Sequence, residues 1–183
     1  MHPDQPEGPR PGPLVAGIEW LSTAVGIGGA LLLVPLVLAT CYEVLARYLF
    51  DAPTIWAYEV GFTLTGSHFL LGMAFTLRAG EHIRIDIFSG KFSRKTRILI
   101  DLIGYAMVLP LTIWLTVHLA RYFGSALASG ERSGASAFNM QVWPFRLVFL
   151  LAFALLALQI LAEALRLMRR LRSEPSAEDR RAY

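Results

Sequence analysis

Three groups of side chains have the type and spacing to do chemistry. His68 and His118 each stand in a long uncharged run, where paired imidazoles can ligate a haem. His68 falls ten residues before Arg78, and His118 seventeen after Asp101. If those two charges mark one face of a membrane, the imidazoles differ in depth by roughly 10 Å at ~1.5 Å per residue, whereas a haem needs both ligands at one level. Haem ligation is therefore disfavoured, and no cofactor is expected. His68 reads instead as a hydrogen-bonding core residue among Thr63, Thr65 and Ser67, and His118 as a residue near the far interface.

The second group lies in "GEHIRID". His82 and Asp86 are four apart and would face one way on a helical turn, while Ile83, Ile85 and Ile87 alternate as in an extended segment. One histidine and two scattered acids do not make a zinc set. Two readings stay open: a solvated loop at the headgroups, or a shaped contact for another membrane subunit. The third group is "EVLARYLFDAPTIWAYEV", with Glu43 and Arg47 at i, i+4 and Trp56 and Glu59 at i, i+3. Pro53 ends any helix before it and leaves a short turn, so the two helix ends must be neighbours. A pair between Arg47 and Glu59 would clamp that turn; a proton relay would want an ionisable group deep in a span. The sequence contains no Gly-rich phosphate loop, HExxH motif or activated nucleophile, so an enzyme is not expected.

The elements that must position these residues follow from the distribution of charge. Only 17% of the 183 residues are charged and 55% are hydrophobic, against roughly 25% charged in a soluble domain. Charge-free runs at 20–42, 60–77, 102–120 and 147–162 are the candidate spans. The first holds 23 residues, about 34 Å of helix, enough for a hydrocarbon core of ~30 Å. Backbone polar groups cannot go unpaired in lipid, so the runs must be helical. The expected fold is an all-α integral membrane protein of four transmembrane helices with short amphipathic interfacial segments.

Lys and Arg set the orientation. With four spans, the two ends of the chain and the middle hairpin share one side and hold thirteen of the seventeen bases, leaving four for the other. The positive-inside rule puts both termini in the cytoplasm. A net charge of +3 beside hydrophobic runs thus points to bilayer orientation and lipid contact, not to nucleic acid. The basic stretch "LAEALRLMRRLR" places Leu161, Ala164, Leu165, Met168 and Leu171 on one stripe, suited to headgroups or to a partner.

Residues 1–17, rich in proline, and the polar residues 173–183 are expected to be disordered tails around a four-helix domain at 18–172. The first run is too long for a signal peptide and should be retained. Cys41 is the single cysteine, which rules out an intramolecular disulfide. Small residues four apart, Gly61 with Thr65, Thr63 with Ser67, Gly72 with Thr76 and Gly26 with Ala30, allow close helix approach. Pro35 and Pro110 should bend their helices.

"RYLF" at 47–50, Trp56, Glu59, Gly72 and then "R-x-G-E-H-I-R-I-D" at 78–86, with Pro144 before the last span, resemble the small permease (DctQ-type) subunit of tripartite ATP-independent periplasmic (TRAP) transporters. That family often has two adjacent acids where this chain has Tyr58 and Glu59. The resemblance implies a scaffold in the bacterial inner membrane. It would brace a large permease subunit, which carries inward, on a sodium gradient, an organic acid captured by a periplasmic substrate-binding protein. It also implies that His82, Arg84 and Asp86 contact or stiffen the large subunit on the cytoplasmic side, and that Arg47, Trp56 and Glu59 belong to the periplasmic end. A membrane anchor for an electron-transfer complex is the alternative from another class.

Overall fold

In a computed structural model, residues 12–79 and 94–173 are described, and every regular element among them is helical. The helices are α1 (Pro13–Leu31), α2 (Leu33–Leu49), α3 (Ala57–Ala79), α4 (Arg94–Ser129) and α5 (Trp143–Ser173). α1 and α2 together form one apolar span, and α3, α4 and α5 each provide another. The four-span architecture expected from the charge-free runs is thus observed. All of the helices extend past those runs, because a flanking charge marks where lipid ends, not where the backbone must stop bonding to itself. Pro13 opens α1, inside the stretch expected to be a tail, where its missing N–H and fixed φ suit a first turn. Val15 then packs to 2% exposure.

Pro35 acts three residues upstream. Without its N–H, the carbonyl of Leu31 loses its helical partner, and α1 closes with Leu32 N donating to Gly29 O at 3.2 Å before α2 resumes. α4 runs on through Pro110, and Thr112 returns its hydroxyl to the carbonyls of Val108 (3.1 Å) and Leu109 (2.9 Å).

α3 lies at the centre, packed on α1, α2 and α5, while α5 also carries α4 and touches α1. The α1–α3 crossing is close because Gly26 lacks a side chain: a Cβ there would fall 2.6 Å from the Cβ of Phe75. His68 Nδ1 meets the carbonyl of Gly29 across the same crossing at 3.0 Å. At Gly61 and Gly72, by contrast, an added Cβ would meet nothing within 4 Å. The outward faces carry Met107, Leu111, Trp114 and Phe69, the inversion of a soluble fold that a lipid solvent requires.

Charged side chains mark two levels. Glu19, Arg78 and Arg166 lie toward the end where α1 begins and α5 finishes, and Glu43, Glu59 and Arg146 toward the other. The nineteen positions from Glu59 to Arg78 and the twenty from Arg146 to Arg166 correspond to about 29 and 30 Å of helix, the thickness of a hydrocarbon core.

Candidate functional site

The end where α2 gives way to α3 is built on two carboxylates. Glu43, on the last turns of α2, receives Arg47 Nε at 2.9 Å and the backbone N–H of Thr54 at 3.0 Å, with the Thr54 hydroxyl on the same oxygen as that N–H. Thr54 Oγ1 in turn accepts from Ala57 N at 3.3 Å and caps the start of α3. Asp51, at φ 47°, makes the reversal, and Ala52 N closes it on Ala46 O at 3.0 Å. Trp56 stacks on Tyr42 with ring centroids 5.8 Å apart. The α2–α3 turn is therefore held by side chains of its own flanks.

Glu59 goes elsewhere. The residue is 4% exposed, and its carboxylate accepts from Ser133 Oγ (2.7 Å), Met140 N (2.8 Å), Asn139 N (3.2 Å) and the Ser136 hydroxyl, all in the connection between α4 and α5. The expected Arg47–Glu59 pair is not formed. Arg47 has a carboxylate one turn back on its own helix, and the oxygens of Glu59 are filled by donors more than seventy residues away. The loop that reaches Glu59 turns at Gly130, Gly134 and Asn139, all with positive φ, and closes on itself through Ser133 N to Met140 O at 2.9 Å. Arg146 anchors its far side, lying 3.5 Å over the Tyr122 ring and donating to Glu131 at 2.6 Å.

The stretch at 80–93, expected to be a hairpin with His82, Arg84 and Asp86, lies outside the described residues. Its flank does not: Arg78 donates to the Thr23 hydroxyl. Beside it a polar zipper joins α1 to α5. Ser22 Oγ donates to Gln159 Oε1 at 2.8 Å, Gln159 Nε2 to Glu163 at 3.2 Å, and Arg166 bridges Glu163 and Glu19. Ser22 and Gln159 are fully buried. The buried side of this part of α5 is Ile160, Ala164 and Leu167, whereas Leu161 and Met168 of the stripe read from the sequence remain exposed.

The two histidines do not face one another. His68 turns to α1, while His118, on α4, is exposed and bonds back to the carbonyl of Trp114 at 2.9 Å. Sequence reasoning passed over Ser133, Ser136 and Asn139, although the run of Gly, Ser and Asn from Ser129 to Asn139 is a turn signal. It also passed over Gln159, which an inventory of charges does not count.

A family model described as "Tripartite ATP-independent periplasmic transporters, DctQ component" matches residues 36–170, from early α2 to near the end of α5. The chain belongs to the DctQ family. No curated protein matches it. The matched region of this DctQ component includes both carboxylate clusters at the α2–α3 end, the hairpin with His82 and Asp86, and the α5 half of the zipper. The chain is thus a multi-pass membrane protein and the small membrane component of a TRAP transporter.

Proposed function

We propose that this DctQ component braces the large permease subunit of its transporter. That subunit moves an organic acid inward on a sodium gradient after a periplasmic binding protein has captured it. The chain sits in the bacterial inner membrane with both termini in the cytoplasm, in keeping with its thirteen-to-four distribution of bases. The observation that carries the bracing role is where the interior polar groups go. Ser22, Gln159, Glu163, Arg166 and Glu19 bond to one another, and His68 bonds to a backbone carbonyl. Among the described residues no carboxylate lies midway between the two charged levels. A path for sodium or an acid would need such groups, free to be ligands. The broad apolar outer surface suits lipid and the helices of another subunit.

On this reading His82, Arg84 and Asp86 form a contact with the large subunit on the cytoplasmic side. Arg47, Trp56 and Glu59 shape the periplasmic end, where the binding protein docks. The test is a pull-down of the tagged chain from solubilised native membranes, comparing wild type with the double variant His82→Ala, Asp86→Ala. A large multi-span permease that accompanies wild type and is lost from the variant is the expected result. Recovery with both would remove the hairpin from the interface, and recovery with neither would overturn the bracing role. Periplasmic substitutions that leave uptake unchanged in an assembled complex would remove the docking role.

A further inference from the structure

The loop that meets Glu59 has the properties of a receptor, and they do not depend on the bracing role. Its four donors to the carboxylate, Ser133 Oγ, Ser136 Oγ, Asn139 N and Met140 N, are all neutral. This differs from Glu43, whose partners include the guanidinium of Arg47. A carboxylate held by converging hydroxyls and backbone N–H groups, without a cation, sits in an anion-binding nest. The loop also has bonds that do not involve Glu59. Ser133 N donates to Met140 O at 2.9 Å, Gly134 N to Asn139 Oδ1 at 3.1 Å, and Phe138 N to Ser136 Oγ at 3.1 Å. Asn139, at φ 51°, takes the left-handed conformation that short polar residues tolerate, and its N–H and the next one both point at the carboxylate. The outer side of the loop, at Gly134, Ala135 and Phe138, is open to solvent.

We infer that residues 133–140 form a carboxylate-binding loop whose ligand is the chain's own Glu59. Glu59 thus acts as an internal ligand that welds the α4–α5 connection to the start of α3. The Ser136 hydroxyl also lies 3.1 Å from the Ile55 carbonyl, so its single proton is shared between that oxygen and the carboxylate.

Glu59→Ala removes the side chain beyond Cβ, a fragment with the shape and charge of acetate, and keeps a good helix former in the first turn of α3. The readout is trypsin cleavage after Arg132, next to the loop, in the purified full-length chain, with cleavage after Arg180 as the internal reference. Local cleavage follows the population of the opened loop. In Glu59→Ala the cleavage should accelerate about tenfold or more, the worth of a single hydrogen bond to a charged group. Acetate should reverse it with a saturable concentration dependence, and acetamide, neutral and of the same shape, should not. An unchanged rate in the variant, or acetate no better than acetamide, would overturn the proposal.

If Glu59→Ala does not yield folded protein, the pair Ser133→Ala and Ser136→Ala keeps the carboxylate and α3 intact. Those substitutions should also open the loop, with no response to acetate, because the nest remains occupied by Glu59. A rate equal to wild type there would likewise overturn the proposal.

Discussion

Glu43 and Glu59 stand at the same end of the molecule, and each satisfies its oxygens with a different part of the chain. The i, i+4 spacing of Glu43 and Arg47 was legible because a helix turns that spacing into contact. The true partners of Glu59 were not, since they are hydroxyls and N–H groups of a loop whose return path depends on the packing of α4 against α5. Ser22 and Gln159 were hidden for another reason: an uncharged polar residue does not interrupt a charge-free run. Ser22→Ala takes the donor from a fully buried Gln159 Oε1 at 2.8 Å. In water that would cost about 1–3 kcal/mol, but within a bilayer the unfolded helices find other partners, and measured values average nearer ~0.6 kcal/mol with a ceiling of about 1.7. We expect a loss of about 1 kcal/mol by reversible unfolding in a bilayer mimetic. Adding Gln159→Leu should recover only part of it, because Oε1 is then no longer stranded but Glu163 loses the donor it had in Gln159 Nε2. A double variant worse than the sum of its singles would show that the pair is not the unit.

The helices illustrate how far charge and periodicity reach. The spans were visible as gaps between charges, but the ends of the helices were not, because α4 and α5 continue beyond the hydrocarbon. Pro35 was expected to bend its helix, and the break falls at Leu32, where the carbonyl made partnerless by the proline lies one residue before the turn. Small residues four apart announced close packing without saying which were used. Gly26 is used, and Gly61 is not. Gly26→Ala sets a Cβ 2.6 Å from that of Phe75, closer than side-chain rotation can relieve, so α1 and α3 must separate. We expect it to destabilise by about 1–3 kcal/mol, the usual effect of overpacking. Gly61→Ala enters open space and should instead stabilise by up to about 1 kcal/mol, through helix propensity. Thermal midpoints of the two variants should therefore move in opposite directions. A midpoint for Gly26→Ala equal to wild type would mean that the α1–α3 crossing is looser than described.

At the scale of the whole molecule, the two levels of charge and the distribution of bases make separate statements. The levels give a thickness, about 30 Å between Arg146 and Arg166, and so place the bundle across a bilayer without saying which way up. The direction we propose comes from the sequence: the two chain ends and the connection between α3 and α4 hold most of the bases, while the other connections hold Arg47, Arg121, Arg132 and Arg146. Two of those four have acidic partners, Arg47 on Glu43 and Arg146 on Glu131, which lowers the net positive charge on that side further. The single cysteine makes the orientation directly measurable. In a Cys41→Ala background, Ala135→Cys lies on the exposed loop beside Glu59, and Ser176→Cys lies beyond α5. A membrane-impermeant thiol reagent applied to cells with a permeabilised outer membrane should label the first and spare the second until the inner membrane is lysed. The reverse pattern would invert the molecule and move the Glu59 loop to the cytoplasm. It would also move the hairpin of His82 and Asp86 to the side where a periplasmic protein could reach it, exchanging the partners proposed for the two ends.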